Sequence, residues 1–116
     1  MKSILLLTIL FCSLLLGTQC NKDSDVPVPA CVQQKIDDIK AQPKWNPAAT
    51  VKEYIYNGRH TYLFSSDCCD QYYMLYDGSC TYICAPYGGL SGNGDGNCPD
   101  FKNAAQFVKT IWKDPR

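Results

Sequence analysis

The stretch from residue 68 to 101, CCDQYYMLYDGSCTYICAPYGGLSGNGDGNCPDF, carries five of the eight cysteines of this 116-residue chain. No other feature restricts the fold as strongly. What those cysteines can do depends on the compartment, and the first residues bear on that. MKSILLLTILFCSLLLGTQC places Lys2 before a leucine-rich core and is read as an export signal over residues 1–19. Its apolar run is shorter than the roughly 20 residues a membrane-spanning helix needs. The run ends in Gly17-Thr18-Gln19-Cys20, which resembles the site cut by a lipoprotein signal peptidase, although Gln19 is larger than the usual small residue. Cys20 is therefore expected to be the acylated first residue of the mature chain. Two or more acyl chains there would anchor it stably to a membrane.

Cys12 leaves with the signal and Cys20 takes lipid, so Cys31, Cys68, Cys69, Cys80, Cys84 and Cys98 remain. An even number of cysteines in an exported small domain predicts three disulfides. Cys68 with Cys69 is excluded here because adjacent residues would have to close a strained ring. Cys80 with Cys84 is excluded because four residues along a strand span about 13 Å, beyond the roughly 7 Å reach between bridged α-carbons. The other connectivities stay open. A zinc site is disfavoured, since structural thiolate sites usually carry a CxxC knuckle and this chain has none.

Residues 20–30 comprise the lipid site and the segment after it, and NKDSDVPVPA, residues 21–30, is too polar and proline-spaced to build a core. It reads as a flexible tether reaching roughly 30 Å at about 3.1 Å per residue. Residues 31–116 then form one disulfide-stapled domain. Val32, Ile36 and Ile39 recur at helical spacing up to Pro43, predicting an amphipathic helix. Asn57-Gly58 and Asp77-Gly78 each sit between strand-like runs and predict type I′ hairpins. The first turn pairs Ile55 with His60, Glu53 with Tyr62 and Val51 with Phe64 on a core face, leaving Lys52, Tyr54, Tyr56, Arg59 and Thr61 on the other. The second places Tyr73, Leu75, Cys80, Tyr82 and Cys84 together on a buried face. Residues 99–105 suit a short helix opening at Pro99. Residues 106–112 either continue that helix or add a fifth strand, which the β-branched and aromatic run FVKTIW favours. The predicted fold class is a small, disulfide-rich α+β domain, with an N-terminal helix packed on an antiparallel sheet of two β-hairpins.

Eleven basic and eleven acidic residues leave no net charge and no nucleic-acid footprint. His60 is the only histidine, is expected to be packed in the core, and no serine lies in a GxSxG context. No catalytic residue set is assigned. Asn93, Asp95, Asn97 and Asp100 alternate oxygen donors with glycines, which makes them the candidate cation or partner loop. They lack the full DxDxDG pattern, so calcium is the secondary reading. Tyr54, Tyr56, Tyr72, Tyr76 and Tyr87 are a candidate aromatic recognition surface.

Cys68-Cys69-Asp70, CAPxGG at residues 84–89, GDGxCxDF at residues 94–101 and the closing IWKDPR together resemble a family of small cysteine-rich lipoproteins of Bacteroidota, a domain of unknown function. The resemblance covers residues 31–116, implies a lipoprotein, and brings no activity or substrate with it. The chain is expected to be a non-enzymatic binding or structural module of the cell envelope. It would sit on the outer membrane, facing the periplasm or the cell surface, held by its lipid and meeting an envelope protein or a glycan. The alternative is an inhibitor-like or enzyme-accessory module presenting the glycine-rich loop; a small hydrolytic enzyme is the third reading.

Overall fold

Residues 26–116 are described by a computed structural model. The expected export signal, Cys20 and the start of the expected tether lie outside the described residues. Among the described residues, no helix is long and apolar enough to cross a membrane.

Helix α1, Ala30–Lys40, buries the stripe read from the sequence: Val32, Ile36 and Ile39 are all inaccessible or nearly so. Beneath them lie Val51, Tyr62 and Phe64 of strands β1, Thr50–Tyr56, and β2, Arg59–Phe64. Truncating one such aliphatic side chain to alanine costs about 2–5 kcal/mol. Asn57 and Gly58 adopt φ of 52° and 74°, as a type I′ turn demands, and the register is the one that turn dictates, with Val51 opposite Phe64, Glu53 opposite Tyr62 and Ile55 opposite His60.

Strand β3, Tyr72–Asp77, adds to β2, and β4, Tyr82–Gly88, adds to β3. Here the register differs from the expectation. Tyr82 lies opposite Tyr76 and Cys84 opposite Leu75, with bulges between Tyr73 and Tyr76. The cause is in the turn. Gly78 is not left-handed; Cys80 is, at φ 62°, and Asp77 Oδ1 accepts hydrogen bonds from the Ser79 amide, the Ser79 hydroxyl and the Thr81 amide. The aspartate therefore shapes a three-residue loop rather than the two-residue turn its Asp-Gly pair suggests. Leu75 and Cys84 are fully buried on one face as expected, whereas Cys80 joins the opposite cluster under α1 and Tyr82 is exposed.

The final segment is a strand. β5, Gln106–Lys113, pairs antiparallel with β1 and completes a five-stranded sheet in the order β4-β3-β2-β1-β5. To reach β1 from β4 the chain must cross the sheet, and it does so through the glycine-rich loop and the single-turn helix α2, Phe101–Ala104. That crossing buries Phe101 against the edges of Tyr54, Tyr56 and Tyr87. The face expected to be solvent-facing is thereby covered: Tyr56, Thr61 and Leu63 are buried. Both faces of the sheet carry an apolar cluster, and the expectation of one core face is corrected accordingly.

The last residues return to the end of α1. Asp114 is buried, its amide donates to the Ala49 carbonyl, and its carboxylate accepts from Arg116 at 2.7 Å. Arg116 in turn donates to the carbonyls of Lys40 and Gln42 at the end of α1, where a cation suits the helix dipole. The hydrogen bonds from Arg116 hold the Asp114 carboxyl below the usual carboxylate range.

Candidate functional site

The oxygen donors of the glycine-rich loop are committed to the protein itself. Asp95 Oδ2 accepts from the Tyr82 hydroxyl at 2.6 Å and the Ala85 amide at 3.1 Å, and the Asn97 amide donates to Oδ1 at 2.9 Å. Burial pushes the Asp95 carboxyl up, but the bonds from Tyr82, Asn97 and Ala85 outweigh it and hold it low. Burial and the bond to Asp95 push Tyr82 up to about 12. Asp100 accepts from the Tyr56 hydroxyl at 2.6 Å, and Asn93 accepts from Lys102 at 3.3 Å. Asp95 and Asn97 thus bond each other, while Asp100 and Asn93 turn to Tyr56 and Lys102, so the four do not converge on one point. Among the described residues, no three His, Cys, Asp or Glu side chains gather as a metal site would require. Gly94 lies so close to β4 that a Cβ there would collide with the Ala85 carbonyl, so this part of the loop is packed down. Its tip is not: Leu90 is 92% exposed.

All six cysteines of the domain are bridged, but not as the exclusions predict. Cys31 bonds Cys80, Cys84 bonds Cys98, and Cys68 bonds its neighbour Cys69. The adjacent pair was excluded on ring closure; here Cys69 takes a left-handed backbone, φ 64°, within the loop between β2 and β3. Cys80 and Cys84 are indeed unbonded to each other, though Cys80 belongs to the turn and only Cys84 to the strand. The three bridges do separate work. Cys31–Cys80 ties the start of α1 to the second turn, Cys84–Cys98 brackets the glycine-rich loop, and Cys68–Cys69 closes the β2–β3 loop on itself.

His60 is also placed otherwise than expected. Its side chain is 45% exposed, with Nδ1 2.6 Å from Oε2 of the buried Glu53. The two are diagonal neighbours across the first hairpin, Glu53 opposite Tyr62 and His60 opposite Ile55, which puts His60 four positions from the Phe64 that α1 covers.

The tyrosines do not form one surface. Tyr54, Tyr56 and Tyr87 gather around Phe101 on the loop side, while Tyr72 and Tyr76 lie on the helix side. A small cleft of about 240 Å³ opens on the loop side beside Tyr54, Tyr73 and Tyr87. The larger cleft, about 380 Å³, lies on the helix side, between α1, the segment carrying Trp45, the β2–β3 loop and strand β3. Trp45, Tyr72 and Tyr76 supply flat apolar surface; Asp38, Gln42 and Gln71 supply hydrogen-bonding groups. Trp45 is oriented by its indole N–H, which donates to the Gln42 side-chain carbonyl at 3.0 Å. Lys35 stands 4.3 Å over the Tyr76 ring, and burial pushes the Tyr76 hydroxyl's pKa up. Nothing in the sequence pattern marks Trp45, Asp38 and Gln42 as site residues. The only local signal was a tryptophan in a proline-flanked loop.

A five-stranded antiparallel sheet with three disulfides and a helix over one face defines this as a small disulfide-rich domain. The chain belongs to the family described as Domain of unknown function (DUF6970), which matches residues 37–114. No curated protein and no solved structure matches it.

Proposed function

We propose that this protein is a non-enzymatic binding module of the cell envelope, working without a cofactor and using the helix-side cleft as its contact site. The observation that carries the reading is the construction of that cleft. Aromatic faces and hydrogen-bonding side chains converge there from four separate segments, and the Cys68–Cys69 bridge lies in the loop that carries Asp67 and Gln71 into its wall. Concave sites that mix apolar surface with a few placed polar groups are the usual form of a ligand site. Three disulfides suit an oxidising compartment, which supports export. The finer identity follows the sequence: a lipoprotein of the Bacteroidota type, acylated at Cys20, with its helix-on-sheet α+β domain held off the outer membrane by the tether. A non-enzymatic role is supported by the engagement of all six domain cysteines in bridges, which leaves none of them as a thiol nucleophile.

The test is a photo-crosslinking phenylalanine analogue placed at position 72 or at position 109 of the full-length protein in its native membrane. Discrete adducts from position 72 alone are expected. Equal adducts from both positions, or none from 72, would refute the cleft as the contact site.

One observation favours a second reading, an inhibitor-like or enzyme-accessory module presenting the glycine-rich loop. Leu90 projects bare from a loop whose base is pinned by Asp95 and by the Cys84–Cys98 bridge. If Leu90→Ala abolishes partner capture while Tyr72→Ala leaves it intact, this second reading replaces the first.

A further inference from the structure

Building on the proposed binding role of the helix-side cleft, we infer that its ligand is a neutral, hydroxyl-rich saccharide of a few rings. The class follows from what the cleft offers and what it refuses. A sugar ring has an apolar C–H face and a rim of hydroxyls that both donate and accept. Trp45, Tyr72 and Tyr76 provide faces for the first. Gln42 and Gln71 donate, and Asp38 and Asp67 accept, for the second.

Other classes fit less well. An anionic ligand would face two carboxylates, Asp38 and Asp67, against the single ammonium of Lys35, which already rests on the Tyr76 ring. A cationic ligand would compete with that ammonium for the same aromatic face and could accept nothing from the amide groups of Gln42 and Gln71. An extended peptide cannot add as a strand, because β3 is paired on both sides, with β2 and β4. A wholly apolar ligand would strip water from the carboxylates and amides without replacing it.

The adjacent disulfide acts through this geometry. Cys68–Cys69 ties two neighbouring side chains within the loop that carries Asp67 and Gln71 into the cleft wall, so that wall needs little further ordering when a ligand arrives. Preorganisation of this kind raises affinity without adding a contact.

The experiment titrates the full-length protein in detergent with neutral di- to tetrasaccharides, using choline and a sialylated trisaccharide as charged controls. Binding is read from the indole resonance of Trp45, resolved from that of Trp112. At least one neutral saccharide should saturate that signal. Tyr72→Ala should weaken it about tenfold, the loss expected for one stacked ring. Asp67→Asn should weaken it too, and Cys68→Ser with Cys69→Ser should weaken it while leaving the circular dichroism spectrum unchanged. Saturation by choline or by the sialylated sugar alone would overturn the neutral-saccharide assignment. If no saccharide binds but crosslinking from position 72 persists, the ligand class is wrong and the cleft survives as a binding site. If both fail, the cleft reading falls with it.

Discussion

The two hairpins of the sheet begin from nearly the same sequence signal and end differently. Asn57-Gly58 folds as a type I′ turn and sets the register of β1 and β2 to the residue. Asp77-Gly78 does not: its glycine stays out of the left-handed region, Cys80 enters it instead, and the strands slide to a new register. Among the described residues, no disulfide pulls on the first turn. In the second, the Asp77 carboxylate accepts three local hydrogen bonds, and Cys80 is drawn to Cys31 on the helix. A turn signal decides register only where side chains and crosslinks leave the choice to the backbone.

The largest test of that contrast removes the crosslink. Cys31→Ser with Cys80→Ser should cost about 2–5 kcal/mol in urea unfolding, the range for losing a native disulfide from a small domain. A smaller loss than that of a first-turn variant would mean that Asp77, not the bridge, holds the second turn.

Next in size are the turn residues themselves. Asn57→Ala places a Cβ-bearing residue without a polar side chain at φ 52° and should cost roughly 1–2 kcal/mol. Gly78→Ala should cost less, because Gly78 is not left-handed and a Cβ there meets only Pro29 Cγ, at 3.9 Å. Equal losses in thermal melts would restore the type I′ reading of the second turn.

Acid should separate the hairpins more gently. Hydrogen bonds from the Ser79 side chain and the Thr81 amide hold the Asp77 carboxyl below its ordinary range. A group with a depressed folded pKa adds stability above its unfolded value, about 4, and loses it as the pH falls through the folded value. The protection of the Thr81 amide relative to its intrinsic exchange rate should therefore fall below about pH 4 while that at Gly58 changes less. The Asp77→Asn variant should remove the difference.

The smallest effect is expected at the adjacent pair. Cys68→Ser with Cys69→Ser opens a bridge of sequence separation 1, which closes almost no loop in the unfolded chain, so unfolding should shift by less than about 0.5 kcal/mol. A shift comparable to that of the Cys31–Cys80 variant would show that the β2–β3 loop is a structural staple rather than a wall of the cleft.

Of the candidate site, the sequence exposed only fragments. Tyr72 and Tyr76 stood out as surface aromatics, but they were grouped with Tyr54, Tyr56 and Tyr87, which lie across the sheet. Alternation along a strand sorts residues into two faces without saying what covers either. The covering of the second face comes from Phe101, carried there because β5 must travel from the β4 edge to the β1 edge. Likewise Asp95 and Asp100 read as loose loop donors until Tyr82 and Tyr56 meet them.

By itself the sequence determined the features that depend on near neighbours: the stripe of α1, the first hairpin and its register, and three bridges from six cysteines, while for residues 106–112 it only favoured the strand over a continued helix. Helical and strand periodicity, and a turn requiring positive φ, are written within a few residues of one another. Only the tertiary structure decided which cysteines pair, which face each tyrosine joins, why His60 is half exposed, and that Trp45, Asp38 and Gln71 share one cleft. Those outcomes depend on distances between segments remote in the chain, set by where the crossing connection and the diverging second turn place them.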